Sequence, residues 1–189
     1  AFQARARIQS REEYDRLYRE SLDSPDTFWT RETSELAFRK KWSSLVEWNL
    51  PFAKWFVGAE LNISESCVDR HLTNGRKDKP AIIWESEPGE TVTLSYEDLH
   101  RKVCEFAAVL RANGIQKGDR VAIYMGMVPE AVIGMLACAR IGAPHTVVFG
   151  GFAADALRDR MNDCQAKAVL TQDGAWRRGK VGSVQETLD

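Results

Sequence analysis

The chain has 189 residues, a formal net charge of −1, 44% hydrophobic residues and 28% charged residues. This composition is typical of a globular protein of one domain or somewhat more. The near-neutral charge argues against a nucleic-acid partner or an anionic membrane held through bulk charge. The longest apolar run, near Ala131–Ala139, is far shorter than the ~20 residues of a bilayer-spanning helix.

Residues 1–78 are predicted to form an N-terminal helical and irregular region that wraps a larger body. Ser10 and Glu13 have the spacing of a capping box, which predicts a helix that continues to Leu22 and ends at Ser24-Pro25. Four tryptophans follow among charged residues: Trp29, Trp42, Trp48 and Trp55. This stretch has no sustained helical or strand period, so we expect short helices and loops with the tryptophans as buried anchors.

Residues 79–189 are predicted to begin an α/β domain. Two extended segments, Ala81–Trp84 and Thr91–Leu94, are expected to form a hairpin. A capping box at Ser95–Asp98 then opens an amphipathic helix that ends before Gly114. Three strands and two helices alternate after it: Asp119–Tyr124, Pro129–Ile141, His145–Phe149, Ala154–Cys164 and Ala166–Thr171. This alternation predicts a mostly parallel, doubly wound sheet flanked by helices.

The four cysteines are far apart in sequence and lack the spacing of a zinc or redox motif. Cys104 and Cys138 lie in apolar stretches, so we expect buried free thiols there. The N-terminal residues show no apolar core of a signal peptide. These features together predict a cytoplasmic protein.

Ligands of an open parallel sheet bind beyond the carboxyl ends of its strands. Three segments occupy that position in the predicted order: Met125–Met127, Gly150–Phe152 and Asp173–Lys180. The pair Gly150-Gly151 either brings a backbone close to an anionic ligand or forms a plain strand-to-helix turn. The predicted loop with Arg177 and Lys180 is either a phosphate site or a solvated basic loop.

No residue of the chain shows a pattern typical of catalysis or of metal binding. The three histidines, His71, His100 and His145, are expected to have structural roles. A nucleophile elbow, a zinc-protease motif and a Walker loop are all absent from the sequence. The residue patterns alone therefore predict an α/β domain with an anion-binding edge.

Longer blocks of sequence carry more information. In chain order they are Pro51–Gly58, Cys67–His71, Gly118–Met125, Met135–Ala143 and Val147–Phe152. Together they resemble the acetyl-CoA-synthetase family, in the acetyl/propionyl branch of the adenylate-forming enzymes. The resemblance runs from about Trp29 to the end of the chain.

The resemblance implies the N-terminal part of the family's large domain, with the rest of that domain and the C-terminal domain absent. It implies a two-step ligase reaction with ATP, CoA and Mg²⁺, and no covalently bound cofactor. In the first step acetate or propionate and ATP give an acyl-adenylate and pyrophosphate. In the second step CoA takes the acyl group and AMP leaves. The partners are then these small molecules.

The resemblance also implies the residues that contact CoA. Gly150 and Gly151 correspond to positions near the pantetheine. Arg177 and Lys180 correspond to positions near the adenine and the 3′-phosphate. Relatives commonly have arginine at the position of Lys180, so this chain keeps the charge there but loses the guanidinium fork.

The chain departs from the family pattern at Ala59, at Glu65-Ser66, and at Gly126, where relatives have proline. The family's phosphate loop, acyl pocket and catalytic lysine would all come after Asp189. We therefore expect no catalytic residue within the chain and no activity of the chain alone. Two other hypotheses remain, a non-catalytic CoA- or nucleotide-binding module and an interaction domain. An incomplete sheet would expose an apolar edge, which predicts self-association.

Overall fold

The computed structural model describes residues 3–185. It divides into two compact units, of which the first ends at Leu61 and the second begins at Asn62. The predicted division between residues 78 and 79, which separates a wrapping region from the α/β domain, stays a prediction. No helix in the described range is long and apolar enough to cross a membrane.

The first unit opens with two helices, α1 (Arg11–Asp23) and α2 (Pro25–Glu32). Ser10 caps α1, because its side-chain oxygen accepts a hydrogen bond from the Glu13 amide at 3.1 Å. The Glu13 carboxylate in turn accepts from the backbone amide of Gln9 at 3.0 Å. The predicted N-terminal cap of this helix is confirmed, and the helix ends where the sequence predicts.

The tryptophan-rich stretch contains four short strands: β1 (Phe38–Lys40), β2 (Ser44–Asn49), β3 (Phe52–Val57) and β4 (Glu60–Leu61). β2 pairs with β3 and β1 pairs with β4, both antiparallel. The prediction of short helices and loops therefore holds for Trp29, which lies in the short helix α2, and is wrong for the part from Phe38 to Leu61. Aromatic and β-branched side chains favour extended backbone, but these strands are too short for alternation to stand out among the charges.

Three tryptophans of this unit are not the buried anchors that the sequence predicted. Trp55 lies edge-to-face with both Trp29 and Trp48, each with a ring-centroid distance of 5.9 Å. Trp48 is nevertheless 64% exposed. These rings gain favourable contacts from one another more than from a surrounding core.

The second unit carries the remaining elements. In chain order they are α3 (Ile63–Cys67), β5 (Pro80–Glu85), β6 (Thr91–Ser95), α4 (Tyr96–Ala112), β7 (Val121–Met125), α5 (Pro129–Ile141), β8 (His145–Phe149), α6 (Ala154–Asp163), β9 (Ala168–Thr171), β10 (Gly174–Arg177) and β11 (Lys180–Ser183). β5 and β6 form the predicted antiparallel hairpin.

Helix α4 has capping residues at both of its ends. The Ser95 side chain accepts from the Asp98 amide, and the Asp98 carboxylate accepts from the Ser95 amide, both at 3.1 Å. This is the predicted capping box, and it satisfies two amides that the first turn leaves unpaired. Gly114 follows the helix with φ of +79°, a left-handed conformation that suits glycine.

A parallel sheet of three strands, in the order β8–β7–β9, forms the centre of this unit. α5 packs on one face of the sheet and α6 on the other. Ile133 of α5 lies in one cluster with Val121, and Leu157 of α6 lies in a second cluster with Tyr124 and Val148. The predicted α/β class with a mostly parallel, incomplete sheet between helices is confirmed. Alternation along β7 explains the two faces, because neighbouring side chains of a strand point in opposite directions.

One predicted loop is wrong. The segment Asp173–Lys180 contains β10 and the start of β11, which pair antiparallel as a hairpin. Its turn residues Arg178 and Gly179 have φ of +55° and +75°, as in the tight turns that suit twisted hairpins. Glycine is common at the second position of such a turn, but arginine is unusual at the first, so the hairpin has only a weak signal in the sequence.

The four cysteines are free thiols. Cys138 is fully buried, and burial raises the pKa of its thiol to about 11. Cys104 is only half-buried, with its sulfur 3.5 Å from the His100 Nε2 atom. The prediction of a buried thiol is therefore confirmed for Cys138 and wrong for Cys104.

Candidate functional site

A crevice opens at the carboxyl ends of the parallel strands. β7 leads into α5 on one face of the sheet, and β8 leads towards α6 on the other. Neighbouring strands whose connections go to opposite faces leave a gap at their carboxyl ends, which is where ligands of such sheets bind. The cavity there is about 400 Å³ and is lined by the ends of both strands and by the β5–β6 and β10–β11 hairpins.

Gly150 and Gly151 lie in the wall of this crevice, directly after β8. A Cβ atom on Gly150 would be 3.0 Å from the Met125 carbonyl oxygen. A Cβ atom on Gly151 would be 2.5 Å from Nη1 of Arg177 and 2.7 Å from the Phe149 ring. A side chain at either position would therefore crowd its neighbours. Any ligand at this edge meets bare backbone, which can approach it closely.

Arg177 is brought to the same place by the end of β10. Its guanidinium carbon is 5.5 Å from the centroid of the Phe149 ring, a cation–π distance. The side chain is exposed at the crevice. In the described part of the chain it has no ion pair with a carboxylate, so its charge is available to an anion.

Lys180 lies near Arg177 but outside the crevice. The two are cross-strand partners on either side of the Arg178-Gly179 turn. Lys180 is exposed and is not among the residues that line the cavity. The structure therefore brings Gly150, Gly151 and Arg177 together and places Lys180 at the rim.

Another part of the wall comes from the β5–β6 hairpin, which the sequence did not connect with the site. The Trp84 indole N–H donates to the Met127 carbonyl oxygen at 2.6 Å. The Glu87 carboxylate accepts from the Gly179 amide in the turn of the β10–β11 hairpin. Glu85 and Glu90 also line the cavity, so the part of its wall that the β5–β6 hairpin forms is acidic. Trp84 and Glu87 are distant from their partners in sequence, and no local signal predicts these contacts.

Gln172, which follows β9, is another residue of the site that the sequence did not predict. Its Oε1 accepts from the Gly126 amide at 2.8 Å, and its Nε2 donates to the Gly174 carbonyl oxygen at 2.5 Å. Gln172 thus joins the exit of β7 to the start of β10. Proline at position 126 would have no amide hydrogen to donate. Gly126 therefore makes a hydrogen bond that proline, the residue expected there from the family resemblance, could not make.

Residues 3–185 contain no group of three or more His, Cys, Asp and Glu side chains placed to hold a metal ion. His71, one of the histidines expected to be structural, is buried and packs on the Tyr96 ring at 4.4 Å between centroids. Burial and the nearby Arg70 and Arg76 lower the pKa of His71. The assigned roles of Gly150, Gly151, Arg177 and Lys180 in CoA binding stay predictions.

Two family models match the chain. One, described as the acetyl-coenzyme A synthetase N-terminus, matches residues 14–67. The other, described as AMP-binding enzyme, matches residues 69–188.

Curated relatives resemble the chain over its whole length. It is 49% identical over 189 residues to an acetyl-coenzyme A synthetase of Chlorobaculum tepidum. It is 50% identical over 188 residues to an acetyl-coenzyme A synthetase of Deinococcus radiodurans. Each match covers 100% of this chain and 29% of the relative, so the chain spans under a third of their length.

Among solved structures, an acetoacetyl-CoA synthetase from Streptomyces lividans superimposes with a TM-score of 0.84 and 32% sequence identity. That match covers 90% of this chain and 26% of the solved one. As with the curated relatives, the match covers less than a third of the other protein.

Proposed function

Because the chain belongs to the AMP-binding enzyme family and matches one part of acetyl-coenzyme A synthetases, we propose that its crevice binds the nucleotide end of CoA. The protein it belongs to is then an AMP-forming acyl-CoA ligase of the cytoplasm. The proposed substrates are acetate or propionate, ATP and CoA. The acid pocket would lie beyond this chain.

The observation that carries the proposal is the packing of the Arg177 guanidinium against the bare backbone of Gly151. A guanidinium binds a phosphate with two parallel hydrogen bonds, and its plane or the adjacent Phe149 ring can stack on a purine. Gly150-Gly151 gives a slender ligand room to run along the backbone. α6 begins close by, and its N-cap residue Ala153 supplies no side-chain cap, so its first amides also favour an anion.

The proposed chemistry has two steps. The carboxylate of the acid attacks the α-phosphorus of ATP, and pyrophosphate leaves. The CoA thiolate then attacks the carbonyl carbon of the acyl-adenylate, and AMP leaves with the electron pair of the broken C–O bond. Mg²⁺ would neutralise charge on the polyphosphate in the first step, and no described residue is assigned to it. The chain's own contribution is to hold CoA.

Binding of CoA to the chain, measured by titration calorimetry, tests this proposal. Arg177→Ala is expected to weaken binding about tenfold or more, since it removes a charged hydrogen-bond donor. Arg178→Ala is the matched control, because it removes the same charge from the neighbouring turn position outside the cavity lining. Equal affinity of Arg177→Ala and the wild type, or no binding by the wild type, would contradict the proposal. That second result would favour an interaction domain.

The catalytic groups of the family would follow Asp189, so the isolated chain is proposed to be inactive in adenylation. Acetate-dependent exchange of pyrophosphate into ATP measures that step by itself. Exchange catalysed by the purified chain would show that the adenylation site lies within these residues, contrary to the proposal.

A further inference from the structure

The β10–β11 hairpin needs an anchor if Arg177 is to stay in the crevice. The hairpin is a two-stranded sheet of its own, separate from the parallel sheet. Its base is fixed by Ala175, which packs in the cluster around Tyr124. Its tip, with the Arg178-Gly179 turn, projects beyond that cluster, and Arg177 adjoins the turn.

The tip has backbone donors that the ladder does not use. In a two-residue hairpin turn the flanking residues bond each other, and the amides of both turn residues are outside the ladder. One of them, the Gly179 amide, donates to the Glu87 carboxylate across 92 residues of sequence. Among the described residues, Glu87 is the one side chain that forms a hydrogen bond with the backbone of this turn.

The turn that carries Glu87 is ordered by hydrogen bonds of its neighbours. The Gly89 amide donates to the Ser86 carbonyl oxygen at 2.9 Å, and the Glu90 amide donates to the Ser86 hydroxyl oxygen at 2.8 Å. Pro88 restricts the backbone of the residue before it to extended conformations. A few residues away, the Trp84 indole ties the same hairpin to the Met127 carbonyl oxygen. The carboxylate therefore projects from an ordered turn on a tethered hairpin.

We propose that Glu87 is a positioning residue, whose carboxylate holds the tip of the β10–β11 hairpin and thereby keeps the Arg177 guanidinium beside Gly151. The effect of Glu87 on CoA affinity rests on the proposed function, whereas its hold on the hairpin exists in the ligand-free protein. A carboxylate near a phosphate site would otherwise only repel the ligand. The hydrogen bond that the Glu87 carboxylate accepts from the Gly179 amide accounts for a carboxylate in the wall of the crevice.

Three variants separate the hydrogen bond from the charge. Glu87→Ala removes both, Glu87→Gln removes the charge and keeps an acceptor oxygen, and Glu90→Ala removes one charge from the same wall. In ligand-free protein, NMR measures the hydrogen exchange of the Gly179 amide and the amide shifts of Gly151 and Arg177. We expect exchange at Gly179 to rise about tenfold in Glu87→Ala, with moved Gly151 and Arg177 signals. Glu87→Gln and Glu90→Ala should keep wild-type signals.

CoA titration is the second measurement. We expect Glu87→Ala to bind CoA about tenfold more weakly, and Glu87→Gln and Glu90→Ala to bind as well as the wild type or better. Unchanged Gly179 exchange or unchanged CoA affinity in Glu87→Ala would overturn the proposal. Tighter binding by Glu87→Ala would also overturn it, because the carboxylate would then be a competitor of the phosphate. If the wild type binds no CoA, the proposed function fails while the NMR measurement still decides the role of Glu87.

Discussion

Among the described glycines, Gly151 is the one whose added Cβ atom would come closest to a neighbouring atom. The position of its absent Cβ lies 2.5 Å from Arg177 Nη1 and 2.7 Å from the Phe149 ring, distances that real Cβ atoms do not adopt. Arg177 is flexible and would move, whereas Phe149 ends a strand and would move less. A methyl group at this position would therefore displace the Arg177 guanidinium, to which we assign a role in CoA binding.

Gly151→Ala is expected to weaken CoA binding about tenfold while changing the melting temperature little, because the side chains it disturbs are exposed. Calorimetric titration and thermal unfolding measure the two effects. Gly182→Ala in β11 is the matched control, since a Cβ atom there would have no neighbour within 4 Å. A Gly151→Ala variant that binds CoA like Gly182→Ala would show that Arg177 has no part in binding.

His71 gives the fold a dependence on pH. Its lowered pKa means that the folded protein holds it neutral at pH values where the unfolded chain, with a pKa of about 6.5, already binds a proton. Its contribution to stability is complete above that unfolded value. It declines as the pH falls towards the folded pKa, because the unfolded state gains protons first.

The free energy of unfolding is therefore expected to fall between about pH 7.5 and about pH 5.5, and to fall less in His71→Gln. Urea unfolding at both pH values measures this, and the comparison with the variant removes the contribution of carboxylates. A variant with the same pH dependence as the wild type would mean that His71 takes up its proton equally in both states.

Gln172 and Gly126 connect the ends of two elements, β9 and β7. Because Gln172 is half-buried and bonded on both sides, its oxygen would be left without a donor if the amide of residue 126 were removed. A proline would also place its Cβ about 3.0 Å from the Ala175 Cβ. The loop after β7 therefore requires a residue with a backbone N–H and a small side chain at position 126, because of a contact 46 residues away.

Gly126→Pro is expected to lower the free energy of unfolding by about 1–3 kcal/mol, the cost of an unsatisfied polar group. Gly126→Ala keeps the amide and adds only the crowding, so it should cost less. Gly126→Pro combined with Gln172→Ala should recover part of the loss, because the two sites share one bond. Denaturant unfolding of all four proteins gives these values. Equal costs for the proline and alanine variants would assign the effect to crowding alone.

Helices and strands whose signals lie within their own segment could be predicted from the sequence. α4 has its capping box within four residues, and α5 and β7 show their periods within one segment. The β10–β11 hairpin could not be predicted, because its Arg178-Gly179 turn carries a weak signal. The strands of the first unit could not be predicted either, because pairing rather than pattern stabilises them.

In the crevice, too, features with a local signal could be predicted and distant contacts could not. Gly150 and Arg177 could be placed near one another, since carboxyl ends of parallel strands meet at one edge and the family resemblance pointed to them. Glu87 and Gln172 make their contacts 92 and 46 residues away. Contacts at such separations depend on the folded topology, which a single sequence does not give.

At the scale of the molecule, the parallel sheet is small and open. Within residues 3–185, β8 and β9 each pair only with β7, so both have a free edge. On β8, Val147 is 52% exposed and Phe149 is 59% exposed. An open edge with apolar side chains is a template for pairing with another chain.

The isolated chain is therefore expected to self-associate. Light scattering coupled to size exclusion, over a range of protein concentrations, measures the mass. Val147→Lys should shift the population towards monomer, because a lysine on an edge strand opposes pairing. A monodisperse monomer for the wild type at all concentrations would show that the edges are protected.

The contact between Glu87 and Gly179 also has a consequence for biosynthesis. A ribosome extends a chain from its N-terminus at about 5–20 residues per second. Gly179 is therefore added roughly 5–18 seconds after Glu87, which precedes it by 92 residues. During this interval the acidic wall and then the two glycines are present without Arg177. Affinity for the nucleotide would thus be acquired late, when translation has passed Lys180, and not gradually as the sheet grows.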